Sequence, residues 1–119
     1  MKLVFSSEEV HKQCTDLKVA QKLFGGDKAL ATKLHARINQ LEAANVLKDI
    51  VLIRPMRFHA LQGNRDGYFA IDVKTQKEPW RIILQPVDEN EEPYNPCNID
   101  EISGKVRIVE IREVSKHYE

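Results

Sequence analysis

The chain has 119 residues, of which 42% are hydrophobic, and its 18 Lys and Arg balance 18 Asp and Glu. This length predicts a single domain over residues 1–119 with one modest core. The apolar runs are too short for a transmembrane helix, and residues 1–5 lead directly into Ser6-Ser7-Glu8-Glu9, which argues against a secretory signal. We therefore expect a cytoplasmic protein that does not associate with a membrane.

Residues 2–5 have the pattern of a strand, and the next forty residues are helical in pattern. Ser6-Ser7-Glu8-Glu9 has capping-box spacing, and Gly25-Gly26 ends the first helix. Asp27 can cap a second helix. Each predicted helix has one apolar stripe, the first with Val10, Cys14, Leu17 and Leu23/Phe24, the second with Leu30, Leu34, Ile38 and Leu41. Such a pair needs a sheet or a partner to cover its apolar face.

After Pro55 the spacing of apolar residues changes from the helical period to the alternation that is typical of strands. Strands are predicted at residues 58–61, 68–74, 80–84 and 105–114, with short turns at 62–67 and 75–79 and one long irregular loop at 85–104. Short turns favour an antiparallel meander. The predicted fold is α+β: an N-terminal helical hairpin packed on one face of a small antiparallel β-sheet, with cations on the other face.

Charge is divided unevenly along the chain. Residues 1–83 carry 14 basic and 9 acidic groups (+5), whereas residues 84–119 carry 4 basic and 9 acidic groups (−5). The segment 85–104 contains no Lys or Arg, which fits either a solvated loop or a loop that is held away from phosphate or faces a basic partner.

Cysteine usage indicates a reduced protein without metal or other cofactor. Cys14 fits a helix-packing thiol and Cys97 an incidental surface thiol, so we expect no disulfide between them. No Cys/His pair has the spacing of a structural zinc site.

Residues 57–81 hold the most informative pattern. Two turn-forming glycines, Gly63 and Gly67, separate short apolar strands that carry cations and one imidazole, namely Arg57, His59, Gln62, Arg65, Tyr68 and Arg81. A hairpin of this composition is suited to holding a phosphodiester.

The order of these parts resembles the RelE/ParE toxin superfamily, and its HigB-like branch most. The resemblance covers about the C-terminal half: Arg57-Phe58-His59-Ala60-Leu61-Gln62-Gly63, Gly67-Tyr68-Phe69-Ala70-Ile71, Trp80-Arg81-Ile82-Ile83, and a terminal 106–118 ending in His117-Tyr118. It implies a RelE-like fold and the toxin of a type II toxin–antitoxin pair, which enters the ribosomal A site and cleaves mRNA. It also implies a cognate antitoxin encoded beside it, of the HigA-like, helix-turn-helix DNA-binding kind.

Cleavage by the 2′-hydroxyl needs a base, an acid and cationic stabilisation of the phosphorane, and no metal is obligatory. Arg81 is the candidate for the phosphorane, His59 and His117 for base and acid in an open order, and Tyr118 for stacking or for holding a phosphate. The candidate RNA-binding residues are Arg57, Gln62, Arg65 and Tyr68, where Gln62 stands in place of a lysine common among relatives.

Structural alternatives accompany these roles. Arg81 could form a cross-strand ion pair with Asp72, His59 could fill a turn, and His117 and Tyr118 lie where chain ends fray. Other functions also remain open: a non-catalytic protein on the same scaffold, such as a gyrase-inhibiting toxin or an inactive relative, or an unrelated RNA-binding module.

Overall fold

The computed structural model describes residues 1–63 and 67–116 and has an α+β fold. In chain order its elements are β1 (Lys2–Phe5), α1 (Glu8–Thr15), α2 (Leu17–Leu23), α3 (Lys28–Ala43), α4 (Leu47–Val51), a 3₁₀ turn (Arg54–Met56), β2 (His59–Ala60), β3 (Phe69–Asp72), β4 (Trp80–Val87), α5 (Ile99–Ile102) and β5 (Ile108–Lys116). No helix in these two described stretches has the length and hydrophobicity needed to cross a bilayer.

The five strands form one mixed sheet in the order β1-β5-β4-β3-β2. Strands β2 to β5 pair antiparallel in sequence order, as the short turns predict, whereas β1 pairs parallel with β5. The purely antiparallel sheet expected from the sequence therefore does not account for β1. The helices separate β1 from the other strands, and a connection of that length allows either direction of pairing.

The first predicted helix is divided into α1 and α2 at Asp16, whose backbone is extended (φ −116°, ψ 116°). The Asp16 side chain accepts hydrogen bonds from the amides of Lys18 (2.9 Å) and Val19 (3.3 Å). One aspartate thus ends α1 and caps α2, which periodicity alone does not reveal. Asp27 caps α3 as the sequence predicts, whereas α1 is capped by Ser7 alone, and the capping box expected from the spacing of Ser6 and Glu9 is not formed, because the helix begins one residue later.

Removing the Asp16 cap should destabilise the fold measurably. We expect Asp16→Ala to lower the free energy of unfolding by about 1 kcal/mol, because two amides lose their acceptor. Urea denaturation measures the effect. Asp16→Asn, which keeps an acceptor oxygen, serves as the control, and an equal loss in both variants would contradict the capping role.

The main core lies between the helices and one face of the sheet. It contains the predicted α3 stripe of Leu30, Leu34, Ile38 and Leu41 together with Val73, which follows β3, and the strand residues Phe69, Ile71, Ile82, Leu84, Val109, Ile111 and Val114. Trp80 packs edge-on against Phe24 at a centroid distance of 4.8 Å. A second, smaller cluster of Leu61, Ala70 and Ile83, joined by Tyr68, lies apart from this core. The alternation predicted for β3 and β4 is therefore confirmed.

The long loop predicted at 85–104 is more ordered than expected. Strand β4 continues to Val87, α5 forms within the segment, and Val87 pairs with Pro93 in an isolated bridge. The Asp88 side chain accepts hydrogen bonds from the amides of Asn90 and Glu92, which fixes the turn after β4. Hydrogen bonds to the Asp88 side chain organise the start of this acidic segment, and its later part is anchored by Ile102, which lies in the main core, and by Tyr94 and Ile99, which pack against it.

Both cysteines are free thiols, as predicted. Cys14 is buried, and burial raises the pKa of its thiol to about 12; burial also raises the pKa of the half-buried Cys97. Because the thiolate is the reactive form, we expect iodoacetamide at pH 8 to label Cys97 first and Cys14 only after unfolding. Mass spectrometry of native and urea-treated protein measures this order, and comparable rates at both sites in native protein would contradict it.

Candidate functional site

The sheet register brings several of the predicted site residues to one face. His59 pairs with Ala70, Asp72 pairs with Arg81, and Arg81 pairs with Ser115 on β5. Directly paired residues of antiparallel strands lie on the same side of a sheet. We call the side that carries these residues, opposite the helices, the second face.

Arg81 is buried within the second face, with 2% of its side chain exposed. Its Nε lies 3.1 Å from Oδ1 of Asp72, so the cross-strand ion pair considered from the sequence is present. The guanidinium also donates to the carbonyls of Trp80 (2.9 Å), Gln76 (3.1 Å) and Glu78. Arg81 therefore holds the β3–β4 turn in place, and with 2% of its side chain exposed it is not displayed to a phosphate in this conformation.

Arg57 reaches the same carboxylate from the other side. Its Nε donates to both Asp72 oxygens, at 3.1 and 3.3 Å, and 29% of its side chain is exposed, against 2% for Asp72. Its backbone is left-handed (φ 52°), which is uncommon for a residue with a side chain. Of the two guanidinium groups on Asp72, that of Arg57 is the one that faces solvent.

His59 is held by the backbone of Arg57. Its Nδ1 lies 2.7 Å from the Arg57 carbonyl oxygen. A carbonyl can only accept, so Nδ1 carries the hydrogen, and in the neutral ring Nε2 holds the lone pair. Nε2 is buried and has no hydrogen-bond partner in the described part of the chain. The imidazole therefore keeps a lone pair on an enclosed nitrogen, which a substrate hydroxyl could reach only after a local rearrangement.

Of the remaining predicted site residues, two are described by the structure and three are not. Tyr68 packs in the small cluster of the second face, and Gln62 is exposed. Arg65, His117 and Tyr118 lie outside the described residues, so their predicted roles stay predictions.

Two arginines that contact parts of this arrangement, Arg112 on β5 and Arg37 on α3, were not predicted from the sequence. The Arg112 guanidinium lies 5.6 Å from the Tyr68 ring centroid and 3.1 Å from the Glu110 carboxylate. Arg37 is buried on α3 and donates to the carbonyl of Asp72 at 3.1 Å. A signal for Arg37 was present, because it follows Leu34 by three positions and so lies on the apolar stripe, whereas Arg112 gave no comparable signal.

Asp72 is the centre of this arrangement. Two guanidinium groups contact its carboxylate and a third contacts its backbone oxygen, so that helix α3, the 3₁₀ turn and β4 meet at one residue of β3. The arrangement presents positive charge and one oriented imidazole at the edge of the second face, which suits an anionic ligand. No protein-family model matches this chain, and no curated protein matches it either.

Proposed function

We propose that this protein is the toxin of a type II toxin–antitoxin pair, with a RelE-like fold, and that it cleaves mRNA on the ribosome. The motif resemblance of residues 57–81 is the basis of the family assignment, and the α+β fold with helices against one face of the sheet is compatible with it. The observation that carries the catalytic part is the unpaired Nε2 of His59, which would act as proton acceptor once RNA binding opens the site around this buried atom.

In the proposed reaction His59 Nε2 takes the proton of the 2′-hydroxyl. The 2′-oxygen attacks phosphorus and the 5′-oxygen leaves with a proton from an acid, for which His117 and Tyr118 are the candidates. The products are a 2′,3′-cyclic phosphate and a 5′-hydroxyl. In this assignment His59 accepts the proton of the 2′-hydroxyl, and His117 or Tyr118 donates a proton to the 5′-oxygen. The orientation of His59 favours this division of base and acid.

Charge stabilisation is assigned differently from the sequence-based hypothesis. Arg81 supports the site from within, because its guanidinium is buried against Asp72 and three backbone carbonyls. Arg57 and Arg112 are the more accessible cations near His59 and Tyr68, so we assign the phosphate contacts to them. Tyr68 offers a ring for base stacking.

The proposed partners follow from the same assignment. They are the ribosome with its mRNA and a cognate antitoxin, HigA-like and with a helix-turn-helix DNA-binding domain, encoded beside the toxin. Co-expression of the adjacent reading frame should restore the growth of cells that express this chain.

Cell-free translation tests the proposed activity. Added to a translating reaction, the protein should produce new mRNA 5′ ends, mapped by primer extension, while the same mRNA without ribosomes stays intact. Arrest of protein synthesis with intact mRNA would reject the nuclease mechanism. The absence of both arrest and cleavage would reject the toxin assignment.

A non-catalytic protein on the same scaffold is the second candidate. The burial of Arg81 favours it, since an arginine that is 2% exposed and paired with Asp72 is not displayed to a phosphorane. Such a protein, for example a gyrase inhibitor, would arrest growth without cutting mRNA and would retain that effect in a His59→Gln variant. A DNA supercoiling assay with gyrase distinguishes this function from the first.

A further inference from the structure

A cavity of about 310 Å³ lies beside the residue that holds His59. It is bounded by the 3₁₀ turn, the end of β3 and the β3–β4 turn, and its lining residues are Arg54, Pro55, Arg57, Asp72, Lys74, Thr75 and Gln76. Arg57 connects it to the candidate site, because its side chain lines the cavity while its carbonyl accepts the hydrogen bond from His59.

The charge at this cavity is strongly positive. Asp72 is the one acidic residue of the lining, and its carboxylate is engaged by Arg57 and Arg81. Arg54 and Lys74 are exposed at the rim, and neither forms an ion pair with a residue of the described chain. Two cations at the rim thus lack an acidic partner there.

A third cation lies directly behind the cavity wall. The buried Arg37 guanidinium donates to the carbonyls of Asp72 (3.1 Å), Lys74 (3.4 Å) and Pro55 (3.5 Å), which all belong to lining residues. Burial lowers the pKa of Arg37, and the Asp72 carboxylate opposes that shift. The cavity wall is therefore held from behind by a guanidinium that donates to three of its backbone carbonyls, and an anion in the cavity would be attracted to this buried charge.

We propose that this cavity binds a phosphate group of single-stranded RNA, adjacent to the phosphodiester that faces His59; the RNA part of this proposal rests on the proposed function. The lining offers a guanidinium fork at Arg54, an ammonium at Lys74 and a hydroxyl at Thr75. These donors come from two chain segments, the 3₁₀ turn and the β3–β4 connection, and a phosphate has oxygens enough to accept from all three. A strand that passes His59 would be anchored there by a neighbouring phosphate.

Inorganic phosphate is the first probe. Titrated at constant ionic strength, it should produce saturable amide shifts at Thr75 and Gln76 in ¹H–¹⁵N spectra, whereas chloride should not. The double variant Arg54→Gln/Lys74→Gln should bind phosphate at least tenfold more weakly. The matched control is Lys18→Gln/Lys22→Gln, which removes the same charge from exposed positions of α2 and should bind normally. Equal phosphate shifts in both double variants would overturn the proposal.

A non-cleavable 2′-deoxy oligonucleotide tests the RNA assignment. If the variant Arg54→Gln/Lys74→Gln loses its contact with one phosphate, the magnitude of its slope of log affinity against log salt concentration should fall by about 0.7. The slope of the α2 control should stay unchanged. An unchanged slope, combined with displacement of phosphate by an acidic peptide, would overturn the RNA assignment in favour of a protein ligand.

The two proposals can fail separately. Phosphate binding that depends on Arg54 and Lys74, without mRNA cleavage in the translation assay, supports the anion cavity and rejects the nuclease. Ribosome-dependent cleavage by a protein that shows no phosphate-induced shifts rejects the cavity and leaves the nuclease standing.

Discussion

Asp72→Asn is expected to lower the free energy of unfolding by about 3–5 kcal/mol, because it leaves the buried Arg81 guanidinium without its countercharge. Asp72 and Arg81 are each 2% exposed, and Arg57 contacts the same carboxylate, so the charge that is lost serves two guanidinium groups. Small domains have about 5–15 kcal/mol of stability in total, so this single change should remove a large part of it. Urea denaturation followed by the fluorescence of Trp80, the single tryptophan, measures the loss.

The matched control is Glu110→Gln. It also replaces a carboxylate that pairs with an arginine at 3.1 Å, but the Arg112 side chain of that pair is 43% exposed. Exposed pairs contribute about 0–1 kcal/mol, so this variant should be nearly as stable as the parent protein. If Asp72→Asn and Glu110→Gln lower the free energy of unfolding by similar amounts, the buried ion pairs of Asp72 do not stabilise the fold more than an exposed pair does.

His59→Gln is expected to slow ribosome-dependent mRNA cleavage by about 10²- to 10⁴-fold, the usual contribution of a general base. Glutamine can still donate a hydrogen bond to the Arg57 carbonyl but cannot accept a proton at neutral pH. The rate of appearance of new 5′ ends in the translation assay measures the loss.

His35→Gln is the control for this change. His35 also has a ring nitrogen at hydrogen-bond distance, 3.1 Å, from a backbone carbonyl, that of Gln13, but it lies on α3 away from the second face. The His35→Gln variant should cleave mRNA at the rate of the parent protein. Cleavage by His59→Gln at that same rate would exclude His59 as the base. Imidazole ¹⁵N shifts, which distinguish the tautomers, should identify the Nδ1–H form in the parent protein.

The sequence predicts those parts of the fold that depend on local periodicity. The α3 stripe and the alternation of β3 and β4 are visible as spacings of apolar residues, and both are found in the main core. The direction of β1 could not be predicted this way. Strand β1 pairs with a strand more than a hundred positions away, and its direction depends on how the helices pack rather than on its own four residues.

The candidate site was predictable in composition but not in arrangement. Register arguments correctly put Arg81 on the face opposite Ile82, yet they left its partner open between RNA and Asp72. Arg57 contacts the same Asp72 carboxylate from a left-handed backbone, and no sequence pattern predicts that conformation. The position of Arg37 on the apolar stripe of α3 predicts its burial, but its hydrogen bond to Asp72 joins residues 35 positions apart and has no local signature.

The hydrogen bonds of Arg81 make the length of the β3–β4 hairpin connection part of the structure. Surface turns usually tolerate insertions, because their backbone carbonyls can turn to water. Here the carbonyls of Gln76 and Glu78 point inward to a buried guanidinium, so an added residue would move at least one of them out of reach. Homologous chains that keep this Asp–Arg pair should therefore vary in the residues of the turn while keeping their number constant.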